Sequence, residues 1–156
     1  MQKGIPIQES FNVTYVYTDS GTVTARLMAP YLKEVNSLEK GKEGQTEYEM
    51  DRGITLITYH KTNGEEESRL TARSARINQH TGVALAKGNV VVTNKEGATL
   101  ETEELLWYRD KDIITTQKFV KISTKEEIIM GEGMEANSGF NTYKIFHIKG
   151  TLKVKE

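Results

Sequence analysis

The sequence predicts an all-β protein, an elongated antiparallel β-jelly roll or folded two-sheet sandwich built from repeated strand pairs and open at its ends. Three observations predict it. Alternating segments rich in β-branched and aromatic residues run the length of the chain; turns bearing Gly, Asn or Asp separate them; and one apolar spacing occurs four times, its last three copies ~30 residues apart. All 156 residues are read as one domain, a size at which folding buries roughly two thirds of the extended-chain surface.

The strand segments include Val13-Thr-Tyr-Val-Tyr17, Ile54-Thr-Leu-Ile-Thr-Tyr59, Val90-Val-Val92 and Val120-Lys-Ile122. Branching at Cβ restricts χ1 and suits the pleated surface of a strand. Turns are expected at Asp19-Ser-Gly21, Thr62-Asn-Gly64, His80-Thr-Gly82, Asn94-Lys-Glu-Gly97 and Asn137-Ser-Gly139, each of which supplies a residue that tolerates positive φ.

The recurring spacing is two, three, two. It appears as Val23-x-Ala25-x-x-Met28-x-Pro30, Leu70-x-Ala72-x-x-Ala75-x-Ile77, Leu100-x-Thr102-x-x-Leu105-x-Trp107 and Ile129-x-Gly131-x-x-Met134-x-Ala136. A strand alternates its faces every residue, so a three-residue step that keeps one face inward requires an inserted residue, as at a β-bulge or corner. Each copy therefore predicts a strand that bends. Straight strands are expected between the copies, with apolar pairs Ile54/Leu56, Val90/Val92, Val120/Ile122 and Leu152/Val154. Bent strands let a sheet fold over itself into two facing layers. Tyr31, Val35 and Leu38 fall at helical spacing, but Lys40-Gly-Lys-Glu-Gly44 follows closely, and residues 30–48 are read as strand followed by a mobile loop.

Composition narrows the function. The chain is 37% hydrophobic and 28% charged with a formal net charge of -1, and its basic residues are scattered rather than gathered into a phosphate-tracking stripe, which argues against nucleic acid. No run approaches the roughly 18 apolar residues of a spanning helix. With no Cys there are neither disulfides nor thiolate chemistry. His60, His80 and His147 lie far apart and read as turn or surface residues rather than metal ligands. Gly131-x-Gly133-x-x-Ala136 formally matches a dinucleotide fingerprint but lacks the following helix and belongs to the repeat. Glu65-Glu-Glu67 and Glu101-Thr-Glu-Glu104 read as solvated strand faces. No nucleophile elbow or phosphate-binding loop is present. The reading is of a non-enzyme without metal or cofactor.

Phe11-Asn-Val-Thr-Tyr-Val-Tyr-Thr-Asp-Ser-Gly21 followed by Thr24-Ala-Arg-Leu-Met-Ala-Pro30 resembles the opening of the LptC family of lipopolysaccharide export proteins, within the wider LptA/OstA-like superfamily. Later segments agree: Gly53-Ile-Thr-Leu-Ile-Thr-Tyr59, Gly88-Asn-Val-Val-Val92, Gly97-Ala-Thr-Leu-Glu-Thr-Glu-Glu-Leu-Leu-Trp107 and Gly131-Glu-Gly-Met-Glu-Ala-Asn137 are similar to that family's successive strands, most of all in Bacteroides-type bacteria. The resemblance implies a periplasmic jelly roll, tethered to the inner membrane by an N-terminal segment not present in this sequence. It also implies a role: taking lipopolysaccharide from an inner-membrane ABC transporter complex and handing it to an LptA-like bridge protein.

A slit between the two sheets is the expected seat for acyl chains, with Ala25, Leu27, Leu56, Leu70, Ala72, Leu85, Val90, Val92, Leu100, Val120 and Ile122 as candidate lining. The same residues equally suit a dry core. Open-ended sandwiches expose edge strands to which a partner adds its own; Val13, Tyr15 and Tyr17 at one end, and Leu152 and Val154 within Gly150-Thr-Leu-Lys-Val-Lys-Glu156 at the other, are the candidate docking positions. An untethered LptA-like bridge protein and a structural β domain without ligand remain the alternatives.

Overall fold

The computed structural model describes residues 4–154. Among them, eleven antiparallel strands form one hydrogen-bonded sheet: β1 (Gly4–Asp19), β2 (Thr22–Ser37), β3 (Thr46–Met50), β4 (Ile54–Tyr59), β5 (Glu66–Ala72), β6 (Ser74–Asn78), β7 (Val83–Asn94), β8 (Thr99–Tyr108), β9 (Ile113–Ser123), β10 (Glu127–Asn137) and β11 (Tyr143–Lys153). One three-residue helical turn, Arg109–Lys111, links β8 to β9.

Strand register turns this single sheet into two layers. β2 pairs with β4 over residues 25–28, then with β3 over residues 33–36. Likewise β7 pairs with β6 over residues 84–87 and with β5 over residues 91–94. β4 and β5 thus belong to the first layer and β3 and β6 to the second, while the long strands run through both. The bends line up across neighbouring strands as a crease. Asn12 (φ +53°) in β1 lies beside Pro30 in β2, Arg73 separates β5 from β6, Gly88 and Asn89 interrupt the β7–β8 ladder, and Gly133 (φ +78°) shifts the β9–β10 register. Pro30 falls where β2 has left β4 and not yet met β3, so its missing N–H removes no ladder bond on that side.

Both inner faces are apolar. Leu27, Leu56, Leu70, Val92, Leu100 and Ile122 from the first layer join Leu32, Met50, Ile77, Leu105, Trp107 and Met134 from the second in one buried cluster. The folded, elongated all-β architecture expected from the sequence is therefore present.

Its details differ in four places. In β2 the residues of the core cluster are Ala25, Leu27 and Ala29, then Leu32, with Tyr31 buried outside that cluster, whereas Met28 is half-buried and Pro30 exposed; strict alternation holds while β4 is the partner, and the three-residue step within the cluster comes only after Ala29. Secondly, the strands expected to be straight between copies also bend, because continuous pairing forces a corner in one strand onto its neighbours: Val90/Val92 and Val120/Ile122 are halves of the long strands β7 and β9. Thirdly, residues 30–37 belong to β2 and residues 46–48 to β3, so the loop read into 30–48 narrows to residues 38–45. Finally, Val154, expected in the last straight strand, falls one residue beyond β11, which ends at Lys153; it and Leu152 are exposed. Lys155 and Glu156 lie outside the described residues.

Candidate functional site

Ten of the eleven candidate lining residues converge. Ala25, Leu27, Leu56, Leu70, Ala72, Val90, Val92, Leu100, Val120 and Ile122 all sit in the buried cluster, and all belong to the first layer. Leu85 does not join them. It stands one residue out of phase with the inward Ala84 and Ala86, opposite Arg76 of β6 and Leu106 of β8, on the outer face; Val90 and Val92 keep the phase of Ala84 and Ala86. The facing wall, with Leu32, Met50, Ile114 and the second halves of three repeat copies (Ala75 and Ile77, Leu105 and Trp107, Met134 and Ala136), was not nominated as lining. The signal was in the sequence, because the same spacing that bends the strand carries its inner face across to the other layer.

Between the walls the space is small. Leu27, Ile54, Leu56, Leu70, Ile77, Leu105 and Trp107, with Ala75 of β6 and Ala84, Leu85 and Ala86 of β7, border an apolar void of about 20 Å³, room for about one water molecule. The two walls are in contact, and the interior is closed rather than an open slit.

At the mouth opposite the crease lies a polar-rimmed pocket of about 300 Å³, lined by Thr18, Asp19, Thr24, Thr58, Lys61, Arg109, Asp110, Asp112 and Ser138 around Ala25 and Trp107. Trp107 borders both this pocket and the inner void. Tyr17 meets its indole edge-on, with centroids 5.5 Å apart, and the Arg109 guanidinium lies 4.9 Å from the Tyr17 ring centroid. Burial raises the Tyr17 hydroxyl pKa, with Arg109 pulling the other way. Two residues along β1 toward the crease, Tyr15 stacks on Tyr48 at 5.3 Å, and burial, assisted by the Tyr48 hydroxyl, holds its pKa well above the phenol range.

Beside this pocket the β10–β11 turn crosses from the second layer to the first. Phe140, at its tip, is fully buried and stacks on Tyr143 at 5.3 Å. Its carbonyl accepts 2.6 Å from Asn94 Nδ2, and the Ser138 carbonyl accepts 2.8 Å from Ser68 Oγ, which is paired in turn with Thr58. The turn was expected from Asn137-Ser-Gly139, which supplies residues that tolerate positive φ, but the left-handed position falls on Phe140 (φ +53°). Gly139 serves a different need: a Cβ there would collide with the Glu67 carboxylate. For a bulky residue, positive φ costs of order 1–3 kcal/mol, which burial of the ring and the Asn94 bond offset.

The two ends of the sheet are edges among the described residues: β1 pairs only with β2, and β11 only with β10. Val13, Tyr15 and Tyr17 turn inward and pack on the core, so β1 offers its backbone there rather than those side chains. On β11 and just beyond it, Ile148 (63% exposed), Leu152 (57%) and Val154 (45%) face solvent. His60 lies in the β4–β5 turn, where Nδ1 accepts from the Thr62 and Asn63 amides. No helix among the described residues is long and apolar enough to cross a membrane.

A creased β-jelly roll with two apolar inner walls, a mouth and two terminal edges defines the class: an extended, two-layered β envelope. The sequence matches the family described as lipopolysaccharide-assembly, LptC-related, over residues 9–152, and the chain belongs to that family. It is a family of lipopolysaccharide-transport components of the periplasm rather than an enzyme family. No curated protein matches the chain.

Proposed function

We propose that this protein binds lipopolysaccharide by its lipid A acyl chains, receiving it from an inner-membrane ABC transporter complex to which it is tethered and passing it to an LptA-like bridge protein. The observation carrying this reading is the pair of predominantly apolar inner walls joined along a crease and not joined by strand pairing at the mouth. Because the void is about 20 Å³, a chain enters only if the walls part. About ten methylenes transferred from water at ~0.8 kcal/mol each supply about 8 kcal/mol, comparable to the whole stability of a typical domain. A local parting is therefore within reach. The sugars and phosphates stay in water at the polar rim.

The edges serve the hand-over. A strand added to β11 would continue both layers into the partner, with Leu152 and Val154 at the joint; β1 offers the corresponding edge toward the transporter. The closed interior favours one other reading, a structural β domain with a filled core.

Photo-crosslinking with probes at Val92 and Ile122, in the presence of lipopolysaccharide, separates the two. Adducts at both positions are expected, and a folded protein giving none at either leaves the structural reading. For the edge, Leu152→Lys is expected to leave the melting temperature unchanged and to weaken capture of an LptA-like partner. Undiminished capture by that variant and by Val154→Lys excludes β11 as the docking edge.

A further inference from the structure

The β10–β11 turn is held to the opposite layer by contacts that its own hairpin does not require. Two carbonyls of residues 138 and 140 accept from Ser68 and Asn94 across the mouth, Gly139 is pressed against Glu67, and the Phe140 ring sits fully buried in the cluster formed by both walls. The turn is also braced internally, since Asn137 Oδ1 accepts from the amides of Asn141 and Thr142, so it can move as a unit.

We infer that this turn is a latch and Phe140 a resident plug: the ring occupies the mouth-side seat that an acyl chain takes when the walls part, and the chain is admitted only when residues 138–140 release Ser68, Glu67 and Asn94. The inference rests on the lipid-carrying reading above. Three features support it. The seat is apolar, and Ser138, two residues before Phe140, borders the polar-rimmed pocket at the mouth. The plug is carried by a backbone conformation unfavourable to its residue type, so release relieves the left-handed φ at Phe140. And the tethers are a few neutral hydrogen bonds, which exchange with water on opening, rather than a continuous ladder.

Gly139 provides the test, because its Cβ position is 3.5 Å from the Glu67 Cβ, within the range a disulfide spans, and the chain has no other Cys. The full chain carrying Glu67→Cys and Gly139→Cys is oxidised with oxidised glutathione or reduced with dithiothreitol, then titrated with cis-parinaric acid, a polyene fatty acid that fluoresces in apolar sites. The reduced form, which lacks the Glu67 contact, is expected to bind at least as tightly as the parent chain, and the oxidised form at least about tenfold more weakly than the reduced form, with recovery on reduction. A second variant, Phe140→Ala, vacates the seat and is expected to bind the probe more tightly than the parent. Equal binding by oxidised and reduced forms overturns the latch alone, as does failure of the folded double variant to form the disulfide. Absence of probe binding by every form, Phe140→Ala included, overturns the lipid-carrying reading and the latch with it.

Discussion

Replacing Asn94 by Ala tests the turn contacts directly. Asn94 is buried at the β7–β8 turn, where Oδ1 accepts from the Glu96 and Ala98 amides at 3.0 and 2.9 Å, and Nδ2 donates to the Phe140 carbonyl at 2.6 Å. Glu96 is exposed, so its amide finds water; Ala98 and Phe140 are buried. Each buried group left unpaired costs about 1–3 kcal/mol. Should the turn swing out to hydrate the Phe140 carbonyl, the ring loses burial worth about 1.5–3 kcal/mol, so neither route is cheap. A loss of about 3 kcal/mol lowers Tm by about 6–12 °C for a chain of this length. The assay is thermal melting followed by circular dichroism, with Ser68→Ala as companion. Ser68 and Asn94 hold the same turn, so the double variant should lose less than the sum of the single losses. A Tm within about 2 °C of the parent for Asn94→Ala would refute the reasoning, and strict additivity would show that the turn does not release as a unit.

Two further outcomes follow from the same coordinates. At Gly131 an added Cβ would lie 2.5 Å from the His147 carbonyl oxygen and 2.6 Å from Ile145 Cγ2; Gly131→Ala is therefore expected to push β11 off β10, cost about 1–3 kcal/mol, and speed amide exchange across residues 143–153 while β4 and β5 keep their protection. Alkaline pH offers a second check. Burial raises the folded-state pKa of Tyr15, Tyr17 and Tyr143, so the folded chain holds phenolic protons that the unfolded chain releases near pH ~10. Their contribution is complete below that pH and is lost as pH rises above it toward the folded values. Urea melts should show falling stability above pH ~10, and Tyr15→Phe combined with Tyr17→Phe should flatten that fall.

Much of the fold was legible because its signals are local. Alternation located the strands, turn residues located the hairpins, and the two-three-two spacing exposed the corners in β8 and β10 and at the β5–β6 step. It misplaced the corner in β2, where Met28 and Pro30 mimic the inward set but β4 holds the strand in simple alternation through Met28. Leu85 went against a signal that the sequence carries: Ala84, Ala86, Val90 and Val92 are an even number of residues apart and share the inner face of β7, so simple alternation places the side chain at position 85 on the other face.

The sequence by itself determined the all-β class, the places where the chain turns, and one apolar wall from Ala25 to Ile122, since each depends on residues within a strand length of one another. Tertiary structure alone decided that the walls touch, that Tyr15 and Tyr17 face inward, and that Phe140 closes the mouth. Those outcomes depend on partners 46 residues apart, as for Asn94 and Phe140, or 70 apart, as for Ser68 and Ser138. Side-chain packing and hydrogen bonding across such separations follow from how two layers lie on each other, which no local pattern encodes.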